Sequence, residues 1–87
     1  MHLKYKFEMM KLEDQIIAVP VGENVNDYHG VVKLNETAAF IFKILQNETT
    51  EEAIVDALKK EYEVPLDDLL ADVHNCITEF QKKGLLS

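Results

Sequence analysis

The sequence predicts an α+β fold, winged-helix-like, in which a three-stranded antiparallel sheet is followed by three helices. Three observations predict it. The first third of the chain carries its apolar residues at a spacing of two or in short β-branched runs. The remainder carries them at helical spacing, and turn-forming residues stand between the segments. With 87 residues, 47% of them apolar, residues 1–87 are expected to form one domain. Its core should suffice for a compact fold but not for a deep internal pocket.

Leu3, Tyr5, Phe7 and Met9 alternate with Lys4, Lys6 and Glu8, the pattern of a strand with one buried face. Glu13-Asp14-Gln15 makes a polar turn. Ile16–Val21 is a second strand, which Pro20 confines at that point to an edge or a strand end. The segment from Gly22 to Gly30 is rich in turn formers and reads as a loop. Val31–Leu34 forms a short third strand.

Asn35 is a good N-cap, with Glu36 in the favourable first turn. The helix that it opens runs through Thr37 to about Gln46 and is apolar on nearly every side, as a central helix packed by several neighbours would be. Asn47 can take the left-handed conformation that ends it. Thr49 and Glu52 have the spacing of a capping box, which opens a second helix with the stripe Ile54, Val55, Leu58 and Tyr62. Val64-Pro65 breaks that helix. The third begins with Asp67 and Asp68 and ends with Lys82 and Lys83, matching the macrodipole, and Gly84 stops it. Its residues Leu69, Leu70, Val73, Cys76, Ile77 and Phe80 fall within an arc of roughly 120°. Such an arc can face the core on one side and something else on the other. Leu85 and Leu86 are expected to fold back onto the core, to which Phe40, Phe42, Leu58 and Phe80 should also belong.

The charge excludes several functions. Sixteen acidic residues against nine basic ones give −7, and all nine bases are Lys. Duplex DNA and anionic membranes are disfavoured partners, because both demand a basic footprint. Without Arg, the bidentate reader of guanine is also missing. The longest apolar runs are too short to span a bilayer, and the first residues have no secretory pattern, so the expected compartment is the cytoplasm. The one cysteine, Cys76, leaves no internal disulfide and reads as buried filler.

Neither catalysis nor a cofactor is expected. His2, His29, His74 and Cys76 share no recognised metal-ligand spacing. There is no glycine-rich phosphate loop and no nucleophile–base pattern. Asp67-Asp68 is explained by helix capping. The residues therefore describe a binding module.

The stretch Gly30-Val31-Val32-Lys33-Leu34-Asn35-Glu36-Thr37-Ala38-Ala39-Phe40-Ile41-Phe42 resembles the G-x-x-x-L-N-x-x-(A/G)-x-x-I/V pattern of PqqD-like proteins. These are the RiPP recognition elements named for the PQQ synthesis protein D. The similarity continues through Leu45, Thr50–Val55, Tyr62-Glu63-Val64, Asp72-Val73, Ile77, Phe80 and Gly84-Leu85-Leu86, covering most of residues 15–87. Two departures are Asn47, where the family often has Gly, and the long loop from Gly22 to Gly30. The resemblance implies a fold of three antiparallel strands followed by three helices. It also implies a function: to bind the leader of a ribosomally made precursor peptide and present it to a modifying enzyme, often a radical SAM protein. The leader is expected to add as a strand beside the third strand, over a groove walled by the third helix. Carried over, the peptide-binding residues are Val31, Val32, Lys33 and Leu34 on the strand and Leu70, Val73, His74 and Ile77 on the helix, with Leu34, Val73 and Ile77 doubling as core. A winged-helix regulator or adaptor that binds another protein is the alternative, and a homodimer joined through the strand edge is compatible with the same residues.

Overall fold

The computed structural model describes residues 1–22 and 30–87, so that 23–29, most of the expected loop, lie outside the described residues. The elements are β1 (Phe7–Leu12), β2 (Gln15–Pro20), β3 (Val32–Leu34), α1 (Glu36–Ile44), α2 (Glu51–Glu61) and α3 (Leu66–Lys82). The strands are antiparallel and ordered β1-β2-β3. Three antiparallel strands followed by three helices is the α+β arrangement that the sequence led us to expect.

The first strand begins four residues later than its alternation suggested. Leu3 pairs instead with Leu86 in an isolated antiparallel bridge, and the Lys4 amide donates to the Leu85 carbonyl at 2.8 Å. The chain ends thus claim the backbone of this segment. The alternation itself reports burial correctly: Leu3 and Phe7 are buried, and Tyr5 and Met9 pack half-buried against the core. Leu12 pairs with Gln15, so the turn contains only Glu13 and Asp14, and Glu13 takes a left-handed φ of 56°. Pro20 closes β2 opposite Phe7, a strand end where its missing N–H is tolerated.

The caps of α1 and α2 follow side-chain chemistry. By contrast, α3 starts after Pro65 with no side-chain cap bond, and Asp67 and Asp68 lie within its first turn rather than capping it. Asn35 Oδ1 accepts from the Ala38 amide at 2.7 Å and opens α1. The second helix is capped by Thr50, whose hydroxyl accepts from the Ala53 amide at 3.1 Å. Thr49, the expected cap, has its own amide bonded to the Met1 carbonyl at 2.9 Å, which holds it outside the helix. Asn47 is not left-handed; Glu13 is the only such non-glycine residue among those described. After α1, the Gln46 and Asn47 amides donate to the Lys43 and Ile44 carbonyls, and these tight turns satisfy the helix end without a left-handed residue. Gly84, at φ 72°, does end α3, and the Leu85 amide donates to the Phe80 carbonyl at 3.0 Å. That bond, a Schellman closure, folds Leu85 back until it is fully buried.

The core is organised around α1. Ile41, Phe42 and Leu45 are completely buried. Phe42 meets Phe7 of β1 edge-on at 5.2 Å and Phe80 of α3 edge-on at 5.5 Å. These aromatic contacts tie sheet, central helix and last helix together. Leu58 is buried as expected, but Phe40 is only half-buried, because it stacks against Tyr62 at the end of α2 rather than pointing inward.

Candidate functional site

Among the described residues β3 pairs only with β2, so its other edge carries unpaired backbone groups. Such an edge is a template for a further strand. Between it and α3 lies an open groove of about 250 Å³. Val32, Lys33, Leu34, Asn35 and Ala38 line one side, and Asn75, Cys76, Glu79, Phe80 and Lys83 line the other. Val32, Ala38 and Phe80 are buried and form an apolar floor, whereas Lys33, Asn75, Glu79 and Lys83 are exposed along the rims. The groove can therefore bury a small apolar side chain while offering main-chain hydrogen bonds on one wall and polar groups on both.

Helical geometry explains why these residues form the wall. At 100° per residue, Asn75, Cys76, Glu79 and Lys83 follow one flank of the buried stripe, and Leu66, Leu70 and His74 follow the other. The core takes the middle of the stripe, with Leu69, Val73, Ile77 and Phe80 all buried. The second flank turns toward α2. His74 Nδ1 lies 3.6 Å from Glu51 Oε1, and Leu66 and Leu70 line a separate cleft with Val55 and Lys59.

Of the eight residues expected to bind peptide, Val32, Lys33 and Leu34 line the groove. Val31 stands just ahead of β3 and is half exposed. Val73 and Ile77 are core side chains. Leu70 and His74 are not brought to β3, because the flank they occupy is the one packed beside α2. Sequence reasoning instead missed Asn75, Glu79 and Lys83, and took Cys76 as filler alone. Their i, i+4, i+8 spacing on the polar side of the stripe was the available signal.

Cys76 is half-buried beneath the groove rim. Burial, and secondarily the charge of Asp72, push its thiol above the usual cysteine range. It is thus a neutral lining group rather than an activated nucleophile. Among the described residues no group of three or more His, Cys, Asp or Glu side chains could hold a metal ion, and His29 lies outside them. His2 Nδ1 instead meets Glu48 Oε2 at 2.7 Å. The Met1 ammonium, by its hydrogen bond, and then His2 hold the Glu48 carboxyl below its ordinary range. No helix among the described residues is long and apolar enough to cross a membrane.

A larger concavity, about 510 Å³, lies elsewhere, along residues 3–7 with Val21 and Gln46. Backbone groups there are already engaged: the Leu3 amide by Leu45, the Lys4 amide by Leu85, and the Lys6 carbonyl by Val21. It offers no comparable template for a strand.

Comparison with known proteins agrees with this fold. The family model of coenzyme PQQ synthesis protein D (PqqD) matches residues 14–86. No curated protein shows detectable similarity. A solved structure described as "TbiB1 in Complex with the TbiA(beta) Leader Peptide" is similar in fold, with a TM-score of 0.75 at 20% identity, over 100% of this chain and 95% of that one. With most of its length matched by one family model, the chain belongs to the family of coenzyme PQQ synthesis protein D.

Proposed function

We propose that the groove between β3 and α3 binds the leader segment of a ribosomally made precursor peptide and presents that peptide to a modifying enzyme. The observation that carries this reading is the unpaired edge of β3 above an apolar floor of Val32, Ala38 and Phe80. Family membership supports it, as does the likeness to a protein held with a leader peptide. The domain acts in the cytoplasm by binding alone, without a cofactor, and the chemistry belongs to the partner, a radical SAM enzyme.

Strand addition suits this task. Main-chain hydrogen bonds supply affinity for many sequences, and side-chain pockets supply selectivity. Five or so such bonds, at roughly 0.5–1.5 kcal/mol each, contribute about 5 kcal/mol. One or two apolar anchors over the floor add roughly 1.5–3 kcal/mol each. Ordering a flexible leader subtracts several kcal/mol. The expected dissociation constant is about micromolar.

The test is a calorimetric titration with the leader of the short peptide encoded nearest to this chain, together with proton–nitrogen shift mapping. Shifts concentrated on residues 31–35 and 75–83 support the reading. Saturable binding with shifts confined to α2 or residues 3–7 would refute this groove, and absence of binding would refute the peptide.

A further inference from the structure

The sheet has a second face, and it is apolar. The helices pack on the face that carries Phe7, Ala18, Val32 and Leu34, all of them core residues. Strand alternation sends the intervening residues to the opposite face. On β1 these are Glu8, Met10 and Leu12, and on β2 they are Gln15, Ile17 and Val19. On β3 it is Lys33, with Val31 two residues before it. Met10, Leu12 and Val31 are 47, 54 and 50% exposed. The register joins them: Met10 stands opposite Ile17, Ile17 opposite Lys33, and Glu8 opposite Val19. Five apolar side chains thus adjoin on this face, Met10, Leu12 and Val31 exposed and Ile17 and Val19 half-buried, which is unusual in a lone soluble domain.

The charges on this face indicate what covers it. The chain as a whole carries −7, so most faces of two copies repel each other. Among the described residues, the strands put one charge of each sign on this face, Glu8 on the outer strand β1 and Lys33 on the outer strand β3, and these sum to zero. The two lie diagonally, on either side of Ile17 and Val19. A two-fold axis passing between Ile17 and Val19 in the plane of contact exchanges them, setting Glu8 of each copy over Lys33 of the other. Apolar side chains then meet apolar side chains in the middle. That self-complementarity is what an isologous interface requires. A strongly basic partner would find a single acid here, and an anionic membrane a single base.

We infer that the outer face of the sheet is the contact between two copies of this chain, packed face to face. A three-stranded face is smaller than the roughly 800 Å² per partner of a standard interface, so the dimer is weak and exchanges rapidly. It shares only Lys33 with the groove between β3 and α3, and it is measured without any peptide, independently of the leader reading.

Charge exchange tests it. In sedimentation velocity the parent should shift from monomer toward dimer between about 10 and 500 μM, as an interface below standard size would. Glu8→Lys alone and Lys33→Glu alone should each weaken association about tenfold or more by setting like charges in contact. The double variant restores both pairs and should return to the parent's association. Met10→Asp, at an exposed position, should weaken it without altering the circular dichroism. A parent that remains monomeric throughout overturns the inference. So do single variants that associate like the parent, or a folded double variant that fails to recover.

Discussion

His74 Nδ1 and Glu51 Oε1 approach to 3.6 Å across the α2–α3 boundary, and this contact reports which way α3 is turned. The flank bearing His74 and Leu70 looks at α2; the flank bearing Asn75, Cys76, Glu79 and Lys83 looks at β3. Both partners of the pair are largely exposed, so it adds little stability. Its value is as a marker of orientation. Leu70→Glu and His74→Asp should therefore change leader affinity by less than about twofold. Asn75→Trp, which places a bulky ring on the groove wall, should weaken it about tenfold or more, equivalent to about 1.4 kcal/mol. Calorimetric titration of the three variants decides the matter, and the reverse ranking would move the site to the α2 flank.

The strand edge can be probed with two adjacent prolines. Successive N–H groups of an antiparallel strand point to opposite sides. Of Val32 and Lys33, one therefore donates to β2 and the other toward the open edge. Proline at the outward position removes only the donor offered to the leader and should weaken binding about tenfold, while the domain stays folded. Proline at the inward position breaks the ladder with β2 and should lower the melting temperature instead. Thermal melts beside titrations separate the two effects. If both variants melt and bind like the parent, the leader does not add to this strand.

The fold was legible because local signals agreed with one another. The Asn35 cap, the charges at either end of α3 and the Gly84 stop each act through neighbours in sequence, and each appears where its chemistry placed it. The errors have long-range causes. Whether Leu3 joins the sheet depends on distant partners: it bridges to Leu86, 83 residues away, and its amide donates to the Leu45 carbonyl. Whether Thr49 or Thr50 caps α2 depends on Met1, whose carbonyl holds the Thr49 amide. The candidate groove was legible on its β3 side, where an edge strand exposes its own backbone. On α3 the sequence pointed to the other flank, because an apolar arc has two flanks and periodicity alone does not say which neighbour lies beyond each. Leu70 was the more conspicuous residue for being exposed and apolar. The α3 wall of the groove beside β3 is mostly polar and gave no hydrophobic signal.

Packing around Phe42 makes α3 a sensitive reporter of the whole fold. Phe80 is 4% exposed and meets Phe42 edge-on. Phe80→Ala at such a site costs about 3–5 kcal/mol. A small domain holds little more than about 5 kcal/mol in total, so the variant should be largely unfolded at room temperature. Phe40→Ala serves as a contrast. Half-buried against Tyr62, it should cost about half as much and leave a cooperative transition at reduced temperature. Chemical denaturation followed by circular dichroism measures both. A Phe80→Ala protein that unfolds at the parent's midpoint would mean that α3 does not pack as described.

Cys76 offers a reading of the groove from inside. Its thiol lines the wall, and burial together with Asp72 raises its pKa. A raised pKa leaves less thiolate at any given pH, and the thiolate is the reactive form. Iodoacetamide should therefore modify Cys76 more slowly at pH 8 than it modifies an unstructured cysteine peptide. The rate should go on climbing at pH values where the peptide's rate has levelled off. Saturating leader peptide should slow the reaction further, severalfold or more, because a strand laid along β3 covers the rim above the sulfur. His74→Asp should leave that protection intact, since its side chain lies on the far flank. Mass spectrometry of timed aliquots gives all of these rates. A peptide that binds by calorimetry yet leaves the alkylation of Cys76 unchanged is not lying in the groove between β3 and α3.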